Sequence, residues 1–419
     1  MSHHHHPHRA IAIAVTCAAT SVFAQTGNVK PPQAQAWIDV ATFSGMGMPM
    51  GGMGGPGANP MSALGGLFGG GGGGTKNSFG QTQTASTGRW VDVALSTRNN
   101  PSLNEAQQAV PVGFMSPALK LQASRDAKAP APESDDLTEP SYDKPKGRLL
   151  LYWGCGAAVR AGQPKVLDMA SASAADLAKF FVSRRATQRG AQSALGRPIW
   201  PNPADARMVP DNASLVGEHA FSGSGVPEGF RFQINAAQDL MPALQVQQSD
   251  QAGATELRWG NLPNARAYFA AGLGSARPEE TVLWTSSELP DTGFGLVDYQ
   301  TNAAVDRWLR EKVLLAPTTT QCTVPKGAFP GEGAMLRVIA YGNEVNLAHP
   351  PRPTDPKAAW EPVWAVKLRV KAMASLMLGM PAMGAMPSAA TQNERPAEPA
   401  EKAEKKPGAL DLLKGILGR

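Results

Sequence analysis

Two stretches decide how this chain folds: Trp37-Ile-Asp-Val-Ala-Thr-Phe43 and Trp90-Val-Asp-Val-Ala-Leu-Ser96. Each alternates between two faces with period two, the pattern of a strand buried on one side. Both begin with the form Trp-[Ile/Val]-Asp-Val-Ala, so the second nearly repeats the first. Between them, residues 45–88 are dominated by Gly, Met and Pro and include six consecutive glycines, Gly69–Gly74. The backbone entropy of such a segment opposes a packed core. The expectation is two neighbouring strands joined by a long disordered insert.

Further strands read outward from this pair at residues 118–123, 148–153, 216–221, 230–234, 255–259, 267–271, 281–286, 334–341 and 364–371. In the last of these, Trp364, Val366, Leu368 and Val370 share one face. Lys367, Arg369 and Lys371 share the other, which the pattern assigns to water. One helix opens at Ser173-Ala-Ala-Asp176, carries Leu177, Phe180 and Phe181 at helical spacing, has Arg184 and Arg185 near its end, and stops at Gly190. Residues 306–315 suit a short helix or a strand. The fold class is mainly β, as two antiparallel sandwich-like domains with one helix in the first. The expected divisions are a signal peptide (1–24), a β-rich domain (25–243) with the Met/Gly-rich insert, a second sandwich (244–375) and a flexible tail (376–419) ending in a short amphipathic segment.

In the second half, Leu257-Arg-Trp259, a Pro-containing turn and Ala267-Tyr268 resemble the second and third strands of fibronectin type III and related immunoglobulin-like sandwiches. Leu336-Arg-Val-Ile-Ala-Tyr341-Gly resembles a later strand of the same modules. The interval from Tyr268 to Leu336 is longer than the family usually allows, which implies an insertion or a different sandwich. The resemblance implies a binding or spacer module and brings no catalytic residues with it.

Composition narrows the class. The chain has 419 residues, 42% hydrophobic and 17% charged, and no apolar run reaches the roughly 18 residues of a spanning helix. Arg9, the apolar run from Ala10 and Val22-Phe23-Ala24 before Gln25 read as a secretory signal, with the His3–His6 run outside the fold. Thr16 before Cys17 does not fit a lipoprotein site. The expected location is therefore the periplasm or the cell surface. A formal net charge of +5 is too weak and too dispersed for a nucleic-acid binder. Arg184, Arg185, Arg189 and Arg197 read as a solvated helix end. Cys155 and Cys322, the two cysteines left after cleavage, are a disulfide candidate in an oxidising compartment, with separate thiols as the alternative.

Catalytic signatures are absent from the sequence. Beyond the signal only His219 and His349 remain, too few for a histidine metal cluster. Ser222-Gly-Ser-Gly225 lacks the strand–turn–helix context of a nucleophile elbow. Ser141-Tyr-Asp-Lys144 lies in a charged, Pro-rich stretch. Methionine alone has chemical character. Met46, Met48, Met50, Met53 and Met61 fall in one segment and Met373, Met377, Met380, Met383 and Met386 in another. Thioethers are soft ligands that suit Cu(I) or Ag(I), and Met46, Met48, Met50 and Met53 are the candidate metal ligands. No other cofactor is expected. The leading expectation is a non-catalytic exported binding or scaffold protein whose partner is an envelope or surface component. Residues 410–419 would offer a peripheral membrane contact. The alternatives are a Cu(I)- or Ag(I)-binding protein and a hydrolase with an unrecognised inter-domain site.

Overall fold

A computed structural model of the chain describes residues 29–45, 82, 87–115, 118–123, 147–184, 190–330, 333–355 and 357–378. The expected signal peptide, most of the 45–88 insert, Met46, Met48, Met50 and Met53, and the terminal segment 410–419 lie outside these residues. The described chain is mainly β. In order it forms β1 (Ala34–Gly45), β2 (Gly88–Thr97), β3 (Glu105–Ala109), β4 (Ala118–Gln122), β5 (Arg148–Trp153), β6 (Lys165–Asp168), helix α1 (Ala174–Phe180), β7 (Ile199–Trp200), β8 (Gly217–Gly223) and β9 (Arg231–Ile234). It continues with β10 (Val246–Gln251), β11 (Ala254–Trp259), β12 (Ala267–Arg277), β13 (Glu280–Thr285), helix α2 (Asn302–Arg310), β14 (Gln321–Val324), β15 (Ala334–His349) and β16 (Trp364–Met377).

Thirteen strands join one mixed sheet in the order β6-β5-β13-β12-β15-β16-β1-β2-β7-β4-β3-β8-β9, and β10-β11-β14 form a second. The repeated stretches are neighbours, as their pattern implied: β1 and β2 pair antiparallel with Asp39 opposite Asp92. The other side of β1 pairs in parallel with β16, placing Asp39 opposite Arg369 and Ala41 opposite Lys371. A second parallel pair joins β5 to β13. These two parallel pairings correct the expectation of two separate antiparallel sandwiches. Strands from before and after residue 243 share one sheet because β1 and β5 occupy the flanks of β16 and β13, where open edges would otherwise expose unpaired backbone.

Packing follows the alternation. Ile38, Val40, Val93, Leu95, Leu368 and Val370 form a single buried cluster with Leu257, Trp259, Cys322 and Val324 of the small sheet. The large sheet also coils back on itself: Phe230, beside the far-end strand β9, stacks on Trp364 of β16 with ring centres 5.0 Å apart. Burial of large side chains such as Trp284, Tyr268 and Phe230 stabilises the fold by about 1.5–3 kcal/mol each relative to exposure. The opposite face of β12, β15 and β16 packs against α2 through Val305 and Trp308 and against Phe180 of α1.

Helix α1 starts as its sequence indicates. The Ser173 side chain accepts from the Asp176 backbone N–H, and the Asp176 carboxylate accepts in return from the Ser173 backbone N–H. It ends at Phe180, well before Gly190. The Arg184 backbone N–H instead donates to Phe294 O at 2.7 Å, and the Arg184 side chain pairs with Asp291 at 2.5 Å and Glu311 at 2.8 Å. Arg184 is therefore a buried tie between segments and not part of a solvated helix end. Residues 306–315 resolve as the second half of α2 and the turn after it. Among the described residues no helix is long and apolar enough to cross a membrane.

Candidate functional site: a closed charge cluster on the central strands

The register of β2, β1 and β16 brings Asp92, Asp39 and Arg369 into one row, with Lys371 two residues further along β16. Alternation then points all four to the face that the sequence reading assigned to water. Arg369 and Lys371 are buried there, which corrects that reading. Only Lys367 keeps a partly exposed side chain, 3.6 Å from Glu344.

Each charge in the cluster is engaged. Arg369 donates to Asp39 twice, Nε to Oδ1 at 2.7 Å and Nη2 to Oδ2 at 2.6 Å. The Ala191 backbone N–H adds a third hydrogen bond to Asp39 at 2.9 Å. Asp92 accepts from Thr82, from its hydroxyl at 2.6 Å and its backbone N–H at 3.1 Å. Thr82 lies within the stretch expected to be disordered, so this residue corrects that expectation at one point. The Tyr299 ring lies 4.4 Å from the Arg369 guanidinium and 4.3 Å from the Lys371 ammonium, a cation–π arrangement in a desolvated setting. Lys371 also lies 3.9 Å from Asp298.

The protonation equilibria follow from burial and neighbours. Burial opposes the Arg369 charge, but Asp39 more than offsets it, so its pKa is held above the ordinary guanidinium value. Burial pushes the Lys371 ammonium down, and the Arg369 charge adds to that push. Burial, then the Asp39 charge, pushes the Tyr299 hydroxyl well up. Gly190 completes the enclosure: a Cβ there would lie 1.8 Å from Arg369 Nη2. Chemically, the arrangement neutralises its own charges and pins the 190–191 and 298–299 segments and Thr82 to the sheet centre. An ion pair buried this way specifies geometry more than it adds net stability.

Both histidines have structural surroundings. His219 is buried on β8; its Nε2–H donates to Leu215 O at 2.8 Å and its Nδ1 accepts from Gln108 at 3.0 Å. It stacks on Phe232 with ring centres 5.4 Å apart, and burial pushes its pKa below 6.5. His349 is exposed at the end of β15. Six of the nine Trp residues are buried, and Trp90, Trp153 and Trp360 are half-buried.

Cys155 and Cys322, 167 residues apart, form a disulfide. Cys322 sits in β14. The segment after β5 leaves the large sheet here and runs beside β14: Gly156 N–H donates to Thr323 O at 2.9 Å and Lys326 N–H to Ala157 O at 3.0 Å. The covalent bond thus marks the corner where one strand passes from sheet to sheet. Among the described residues no group of three or more His, Cys, Asp or Glu side chains is placed to hold a metal ion.

Sequence reasoning missed Asp39, Asp92, Arg369 and Lys371 as a unit. The available signal was an Asp repeated at the same place in two otherwise apolar strands, next to a third strand with alternating cations. No family model, curated protein or solved structure matches the chain.

Proposed function

We propose that the chain is a non-catalytic binding or scaffold protein of the cell envelope. The observation that carries this reading is the geometry of the β1–β2 hairpin. Phe43 pairs with Gly88, and the Thr87 hydroxyl donates to Gly45 O at 3.2 Å. The long Gly/Met-rich insert therefore leaves the fold at Gly45 and is held again at Thr82 and Thr87 on the same two adjacent strands, an arrangement suited to presenting a segment from a rigid platform. The Cys155–Cys322 disulfide suits an oxidising compartment. The charged groups of the central cluster are committed to one another, and both ring nitrogens of His219 are engaged, so neither supports the hydrolase reading.

Residues 244–375 are proposed as an immunoglobulin-like module. Strands β10-β11-β14 pack against β13-β12-β15-β16 in the two-sheet manner of such sandwiches. Trp259 lies against Tyr268 with ring centres 5.6 Å apart, and the Tyr268 hydroxyl accepts from the Leu262 backbone N–H at 2.9 Å.

The test expresses the full chain and a variant in which a short Gly-Ser link replaces residues 46–80, keeping Thr82. The full chain is expected in the envelope fraction with Cys155 and Cys322 oxidised. Cross-linking there is expected to give a discrete adduct that the variant, folded with a similar Tm, does not form. A reduced cytoplasmic protein, or identical cross-linking by both chains, overturns the proposal.

A second reading, Cu(I) or Ag(I) binding through Met46, Met48, Met50 and Met53, is favoured by one observation. The parallel pairing of β1 with β16 sets Gly45 opposite Ser375. The residue that precedes Met46 thus lies beside the strand that ends at Met377, so topology brings together the starts of two Met-rich stretches that are far apart in sequence.

A further inference from the structure

We propose that Met335 of β15 and Met377 of β16 are paired thioether ligands for a soft monovalent cation, Cu(I) or Ag(I). The proposal rests on the second reading above, and its site consists of these two residues alone. Met335 and Met377 are direct partners in the antiparallel β15–β16 ladder. Partners at such positions have Cβ atoms about 4.5–5.5 Å apart on one face, which lets two flexible thioether side chains converge on one ion.

Both side chains are half-buried, so the sulfurs sit on a packed base without being sealed off. The backbone beneath them is fixed, because Leu378 N–H donates to Ala334 O at 2.7 Å just beyond the pair. Gly333, with φ +72°, leads into β15 beside the pair; a Cβ there would make only an ordinary contact, 3.5 Å, with Met377 Cε.

The ligand class follows from charge and softness. Two neutral thioethers offer nothing to a hard cation and strong donation to a d10 monovalent ion. Arg337, two residues from Met335 on the same face of β15, is buried and cationic, so it opposes any cation there, a divalent ion more than a monovalent one. Binding is dative: each sulfur donates a lone pair, no bond breaks and no electron is transferred.

The test is an anaerobic competition titration of the full chain with Cu(I) against bicinchoninate, repeated with Ag(I). It includes the variants Met335→Leu/Met377→Leu and Met46→Leu/Met48→Leu/Met50→Leu/Met53→Leu. Leu nearly conserves the volume of Met, so both variants are expected to fold, which circular dichroism and Tm check. In parallel, 13C-methyl spectra of labelled Met follow the signals that the first variant lacks. The proposal expects at least a tenfold loss of affinity in the Met335/Met377 variant and a shift of those two methyl signals on adding Ag(I). Metal binding lost only in the four-Met variant, with the two signals unmoved, keeps the second reading and overturns this inference. No metal binding by the full chain overturns both.

Discussion

Asp39 and Arg369 face each other across parallel strands β1 and β16 and are joined by two hydrogen bonds of 2.7 and 2.6 Å, with both side chains buried. A buried pair of this kind costs much to break and little to replace, because a lone partner keeps its desolvation penalty without compensation. Arg369→Met or Asp39→Leu alone is expected to destabilise the fold by about 3–5 kcal/mol in denaturant unfolding. The double variant is expected to recover a large part of that loss. Additive losses in the double-mutant cycle would show that the two residues act independently.

Gly190 offers a check of the same cluster from outside the strands. A Cβ at this position would lie 1.8 Å from Arg369 Nη2 and 2.5 Å from Asp39 Oδ2. Gly190→Ala is therefore expected to displace the ion pair and to cost about 1–3 kcal/mol, the usual range for overpacking. In the Arg369→Met/Asp39→Leu background the cost is expected to shrink. An equal cost in both backgrounds would place the strain elsewhere.

The strands were legible in sequence wherever alternation or an apolar run was long. β1, β2, β11 and β16 lie on alternating stretches, whereas β5, β12 and β15 lie on continuous apolar runs suited to strands buried on both faces. Among short strands, β4 and β9 alternate and were legible, but β7 is two residues long and β14 carries Gln-Cys-Thr-Val, too little for any periodic signal. The charge cluster was misread for a different reason. Alternation in 364–371 locates the two faces of β16 correctly, but polarity alone cannot tell a wet face from one covered by a second polar element. Tyr299, Thr82 and the 190–191 segment supply that cover, and pairing of β1 with β16 is a contact between residues 330 positions apart. The mixed topology was hidden likewise, since parallel partners leave no local turn to read.

Reducing the Cys155–Cys322 disulfide removes a cross-link that spans 167 residues. The chain-entropy account puts its contribution at up to about 5 kcal/mol at 25 °C. The Cys155→Ser/Cys322→Ser chain is expected to lose about 2–5 kcal/mol of unfolding free energy, read as a lower denaturant midpoint. Hydrogen exchange is expected to quicken first at residues 156–158 and 321–326, where only backbone bonds then hold the corner. Unchanged exchange at those amides would show that the cross-link is redundant there.

His219 gives the fold a pH dependence of predictable sign. Its pKa in the folded chain lies below 6.5 because burial disfavours the charged ring. The unfolded chain therefore binds the proton more readily. Stability from this group is complete above pH 6.5 and falls as pH drops from there toward the folded pKa, with a limiting slope of about 1.4 kcal/mol per unit. His219→Gln, which does not titrate, is expected to be less stable at pH 8 and to lose less between pH 7 and 5.5, as read from urea midpoints. A parallel loss in both chains would assign the pH dependence to other groups.

Two hairpin turns carry side chains in the left-handed region, where Asn and Gly are favoured. Ala252, with φ +59°, and Gly253, with φ +90°, form the two-residue loop between β10 and β11, and positive φ at both positions is the requirement of a type I′ turn. Glu279, with φ +62°, follows Pro278 in the loop between β12 and β13, which fits the second central position of a type II turn. A non-glycine residue in this region carries about 1–2 kcal/mol of strain that Asn partly escapes through local hydrogen bonding. Ala252→Asn and Glu279→Asn are therefore each expected to stabilise the fold by about 0.5–1 kcal/mol, whereas Ala252→Val and Glu279→Val destabilise it. Calorimetric Tm values decide the matter: the Asn variants must rise and the Val variants must fall, and the reverse order at either site would mean that its loop relaxes out of the left-handed conformation in solution.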